Sequence, residues 1–95
     1  MTAPPHNSPV SLDLTREETW AVHAAVATEI DRLVDADEDP TDAIDLLRTI
    51  EADEPFETAE LDYLQEILRT RVESDAPPED RTIAQRVISQ IESSA

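Results

Sequence analysis

The 95-residue chain contains no cysteine, no glycine and no lysine, and its only Phe, Tyr and Trp side chains are Phe56, Tyr63 and Trp20. Each absence removes a class of chemistry. Without cysteine there is no disulfide framework, thiol nucleophile or Cys-ligated zinc. Without glycine there is no phosphate-cradling loop and no calcium loop of the EF-hand type. Helices also cannot end on the glycine that usually takes the left-handed conformation, so their ends must use Asp, Ala or Pro-terminated turns. No apolar run approaches the roughly 18 residues that mark a membrane span. Residues 1–9 lack the basic and apolar regions of a secretory signal, and Ser93-Ser94-Ala95 is no lipidation or retention motif. A soluble cytoplasmic protein without a membrane partner is expected.

What the chain has in excess is acid: 23 Asp and Glu against seven Arg, a formal net charge of −16. High charge with few aromatics fits disorder, but 39% of residues are hydrophobic and they recur at helical spacing. Adaptation to molar salt fits both facts. At 1 M the Debye length falls to about 3 Å, which screens repulsion between surface carboxylates. Lys, absent here, carries a long apolar stem that Asp and Glu lack.

The periodicity predicts an all-α fold, a small bundle of four amphipathic helices. Residues 1–9, with three prolines and no charged side chain, read as a flexible tail, and 10–95 as one helical domain. Val10, Leu12 and Leu14 alternate with polar residues as a short extended lead-in. Thr15 and Glu18 have capping-box spacing. Val22, His23, Val26, Ala27, Ile30, Leu33 and Val34 then share a face of a first helix over about 16–34, with Trp20 and Ala24 on its margin. Asp39 is placed to cap a second helix with Pro40 at its first position, and Ala43, Leu46, Leu47 and Ile50 form its stripe. Phe56 reads as an anchor into the core. Thr58 is the expected cap of a third helix carrying Leu61, Leu64, Ile67, Leu68 and Val72. Pro77-Pro78 ends that helix and begins a fourth with Ile83, Ala84, Val87, Ile88 and Ile91 inward.

The stretches 14–23 (LTREETWAVH), 56–61 (FETAEL) and 76–87 (APPEDRTIAQRV) together resemble a family of small acidic haloarchaeal proteins that carries a domain-of-unknown-function label. The resemblance covers most of residues 14–91. It implies a halophilic setting and brings no catalytic residue, ligand or partner.

Among candidate sites, Asp35-x-Asp37-x-Asp39 opens like a calcium loop, but its sixth and twelfth positions are Pro40 and Leu46. Pro cannot make the required turn and Leu offers no carboxylate. His23 lies on the apolar face, as a ligand, base or pH-sensitive contact, or more simply as an imidazole bonded to a carbonyl or carboxylate. Trp20 suits core filling first and an interface hot spot second. No nucleophile elbow, phosphate loop or HExxH is present. The expectation is therefore a non-enzymatic protein with no cofactor and no metal.

Charge placement is more informative. Residues 29–66 hold 15 acids and two Arg, net −13, whereas residues 67–91 hold four acids and four Arg (Arg69, Arg71, Arg81 and Arg86), net zero. Loss of the acid excess over one contiguous third marks a candidate interface, with Trp20, His23, Arg69, Arg71, Arg81 and Arg86 as its residues and a protein partner or homodimer as its occupant. The competing explanation is local: Arg complements a helix C-terminus and pairs with Asp80. The alternative function is a helical DNA-binding regulator in which the fourth helix presents Arg81, Gln85, Arg86 and Gln90.

Overall fold

A computed structural model of the chain describes residues 10–74 and 77–94, and the expected tail over 1–9 lies outside them. Four helices follow in order: α1 (Arg16–Asp35), α2 (Thr41–Glu51), α3 (Thr58–Glu73) and α4 (Pro78–Ser94). α1 packs against the other three, and α3 also packs along α4. The all-α architecture is as the periodicity predicts. Among the described residues the one β-type feature is a single antiparallel bridge: Val10 N–H donates to the Phe56 carbonyl, and Phe56 N–H to that of Val10, both at 2.8 Å. The bridge ties the extended lead-in to the α2–α3 connection and seats Phe56 in the core.

The predicted stripes close on one another. Leu46, Leu64, Leu68, Val22, Val26 and Val87 are the largest fully enclosed side chains, one or more from each helix. Ala25, Ile50, Leu61, Ile67, Ala84 and Ile91 complete the centre of the core. Val34 departs from the expected face: it is 59% exposed while its neighbour Leu33 is buried, because one residue turns the helix by roughly 100° and carries Val34 off the covered side. Trp20 departs further and is no core residue, being 65% exposed. It precedes Val22, which is fully buried, by two positions, and two residues turn a helix by roughly 200°. Trp20 therefore stands nearly opposite the buried face, not on its margin.

The helix ends show how a chain without glycine makes its joints. At α1, Thr15 Oγ1 accepts from the Glu18 amide at 3.1 Å while the Glu18 carboxylate accepts from the Thr15 amide at 2.9 Å. The capping box is as the spacing predicts. α2 begins one residue later than expected: Pro40 is the cap and Thr41 the first helical residue. Asp39 still serves that end, since its Oδ1 accepts from the Thr41 amide at 3.0 Å. α3 is capped by Glu57, not Thr58; the Glu60 carboxylate reaches back to the Glu57 amide at 3.0 Å, a reciprocal role that acids fill at the positive helix end.

At the other ends, α1 and α2 close alike. Asp37 (φ 59°) and Asp53 (φ 54°) take the left-handed conformation. The next amide donates back to the carbonyl five residues before it: Glu38 to Leu33 at 2.8 Å and Glu54 to Thr49 at 3.1 Å. This is the Schellman closure that glycine normally makes, carried here by Asp, one of the few residue types that tolerate the conformation.

Candidate functional site

The six candidate residues do not form one patch. Trp20 stands on α1 with its ring edge-on to His23, centroids 6.1 Å apart and planes at 65°. His23 is half-buried, and its Nε2 lies 3.2 Å from Glu51 Oε2. The imidazole thus has the carboxylate partner anticipated for it, and the pair joins α1 to the last residue of α2.

Arg71 reaches from the last turn of α3 to two neighbours. Its Nη2 is 3.6 Å from Asp80 Oδ2 on α4, and its Nη1 donates to Thr28 Oγ1 on α1 at 3.5 Å. Arg69, two positions earlier, meets Glu92, also on α4, at 3.8 Å. Both arginines therefore stitch α3 to its neighbours, as the local explanation of the charge pattern has it. Arg81 and Arg86 are exposed and have no ion-pair partner among the described residues. Five positions apart on α4, they project about 140° from each other.

What the structure does bring together is an open cleft of about 530 Å³ between α1 and α4. Trp20, Ala21 and Ala24 line it from α1, Leu68 and Arg71 from α3, and Ile83 and Ala84 from α4, with Glu17, Glu79 and Asp80 at its edges. The alanines make the concavity, since no long side chain fills the space beside the indole. Sequence reasoning named Trp20 and Arg71 but missed Ala21, Ala24 and Glu17. The available signal was the small-residue spacing Ala21-x-x-Ala24 beside a Trp that helical phase places away from the core.

Two clefts of comparable size lie elsewhere among the described residues. One of about 630 Å³ between α2 and α3 is ringed by Asp42, Asp45, Glu54, Glu57 and Glu60. The other, about 580 Å³ along α1 and α3, contains Arg69 and Tyr63 beside Glu29 and Arg32. There the Glu29 carboxylate accepts from Arg32 Nε at 2.8 Å and Nη2 at 3.0 Å. This pairing holds the Glu29 carboxyl below its ordinary range, although partial burial opposes the effect. Burial, followed by the negative charge of Glu29, pushes the Tyr63 phenol up.

Asp35, Asp37 and Asp39 are exposed, and two of them have local work: Asp37 turns the chain, and Asp39 holds the start of α2. Hydrogen bonds from Thr41 lower the Asp39 carboxyl from its usual value. Among the described residues no group of three or more His, Asp or Glu is placed to hold a metal ion. No described helix is long and apolar enough to cross a membrane.

No curated protein and no solved structure shows significant similarity to the chain. Comparison with known families matches residues 12–92, a span that takes in part of the lead-in and nearly all of the four helices, to a family of unknown function. The chain belongs to that family, DUF7853.

Proposed function

We propose that this chain is a small non-enzymatic helical protein-interaction module of a halophilic cytoplasm, docking through the α1–α4 cleft. The observation that carries the reading is the single Trp, 65% exposed in a cleft whose apolar lining of Ala21, Ala24, Leu68, Ile83 and Ala84 is edged by charged side chains. A Trp side chain offers roughly 150–250 Å², so covering its exposed share removes on the order of 100–160 Å² from water. At about 25 cal/mol per Å² this is roughly 2–4 kcal/mol before association costs, the scale of an interface hot spot.

Arg81 and Arg86 favour this reading over DNA recognition, because they project about 140° apart on α4 and so form no single basic face. The halophilic setting is supported by the net charge of −16 without lysine. The test is affinity capture in molar salt, with the immobilised chain and its Trp20→Ala variant run side by side on haloarchaeal lysate and on duplex DNA. Protein recovered by the native chain and lost with Trp20→Ala supports the module. Retention on DNA that disappears with Arg81→Ala and Arg86→Ala supports the regulator instead. A monomer in light scattering that captures no protein defeats the interaction reading.

A further inference from the structure

We propose that α2 is a salt-gated arm of the bundle, docked against α3 in molar salt and released from it as ionic strength falls, before α1, α3 and α4 loosen. The inference is independent of what docks at the α1–α4 cleft. Residues 36–57, which comprise α2 and the joints on either side, hold nine acids and one Arg. Their net charge of −8 is half of the chain's −16, in under a quarter of its length. The cleft of about 630 Å³ between α2 and α3 has Asp42 and Asp45 on one wall, Glu57 and Glu60 on the other and Glu54 from the connection between them. No basic side chain is among the described residues that line it. Repulsion across it is screened at about 1 M salt, where the Debye length is about 3 Å, and spans the cleft at about 0.01 M, where it is about 30 Å.

The ties that hold α2 do little against this repulsion. Among the helices α2 packs closely along α1 alone. Its last residue, Glu51, meets His23 on α1, and Arg32 of α1 lies 3.9 Å from Glu38 in the joint before α2. Both ties lead to α1 and leave the α3 side unopposed. Toward α3, Thr49 Oγ1 donates to Glu60 Oε2 at 2.7 Å, onto one of the repelling carboxylates. The contacts between α3 and α4 have the opposite sign. Arg69 meets Glu92 and Arg71 meets Asp80, attractions that strengthen as salt is removed. The same fall in ionic strength therefore pushes α2 from α3 and draws α3 to α4. α2 is also only 11 residues long, a length at which helicity in water rests on packing of the apolar face. With α3 lost as a neighbour, the burial of Leu46 and Ile50 loosens and the helix frays.

Amide hydrogen exchange of the full chain, followed residue by residue by NMR from about 2 M to about 0.01 M KCl, tests this. At an intermediate salt the amides of α2 should exchange about tenfold faster than in 2 M KCl, while those of α1, α3 and α4 stay within about twofold. Asp42→Asn with Asp45→Asn should move the α2 transition to about half the salt concentration or less. Asp62→Asn with Glu66→Gln removes the same charge from exposed positions of α3 outside the cleft and should leave the transition in place. Loss of protection in all four helices at one salt concentration overturns the inference, as does an α2 that stays protected down to the lowest salt. A transition moved as far by the Asp62 and Glu66 pair as by the Asp42 and Asp45 pair also overturns it, because the effect then belongs to net charge and not to the cleft.

Discussion

Replacing Asp53 by glycine should stabilise the fold by about 1 kcal/mol, and the reason lies in opposing effects at the end of α2. Asp53 is held at φ 54°, where a side chain with a Cβ costs roughly 1–2 kcal/mol, less for Asp because its short polar group bonds locally. Its carboxylate also stands at the negative end of the helix, a clash of about 0.3–1 kcal/mol at low salt. Glycine removes both, and gives back about 0.4–1 kcal/mol through the greater freedom of the unfolded chain. The balance is a gain of about 1 kcal/mol, or about 4–8 °C in Tm for a domain of this size. Asp53→Asn should recover only the charge component. Asp53→Ala should be less stable than the native chain and both other variants, because the alanine Cβ has no local bond to offset the strain. Thermal and urea unfolding of the series in low and molar salt separates the effects. Salt should erase the gain of the asparagine variant over the native chain and leave most of the gain of glycine over asparagine. Asp37→Gly, at the matching position of α1 (φ 59°), should repeat the result. If Asp53→Ala proves as stable as Asp53→Gly, the left-handed closure is not held in solution and the account of these glycine-free joints is wrong.

Leu64→Ala, at a fully buried site, should cost about 2–5 kcal/mol in chemical denaturation, a large part of the stability of a small domain. Helical circular dichroism should be strong in about 2 M KCl and decline at low salt as screening of the −16 charge is lost; a coil-like spectrum at both salts would contradict the fold. Arg32→Gln should raise the Glu29 titration midpoint, followed by carboxyl NMR. Because the folded-state value of Glu29 is lowered, the stability this pair adds is present above the ordinary carboxylate range and is lost as pH falls through the lowered value. With Arg32 largely exposed, solvent screens the pair, and the change in unfolding midpoint should be small beside that of Leu64→Ala.

The four helices, the lead-in and most of the core were legible in the chain because burial repeats at the period of the helix. Leu61, Leu64, Ile67 and Leu68 must share a face in any arrangement that keeps α3 helical. The Thr15–Glu18 box was legible for a similar reason, since both its bonds span three residues. Helix starts were less so: Glu57 displaced Thr58, and Pro40 displaced Asp39. Several residues within one turn can satisfy the same amides, and packing decides which does. Trp20 was misplaced by reading its hydrophobicity ahead of its helical phase, which already set it nearly opposite Val22.

The sequence by itself determined the helical periodicity, the excess of negative charge and the need for helix ends made without glycine. These follow from composition and from interactions within a few residues. Only the tertiary structure decided that Arg69 and Arg71 are tied to Glu92 and Asp80 on α4, that His23 meets Glu51, and that Trp20 stands at a cleft lined by Ala21, Ala24 and Ala84. Each of these depends on how far and at what angle one helix lies from another, which the pattern of a single helix does not contain.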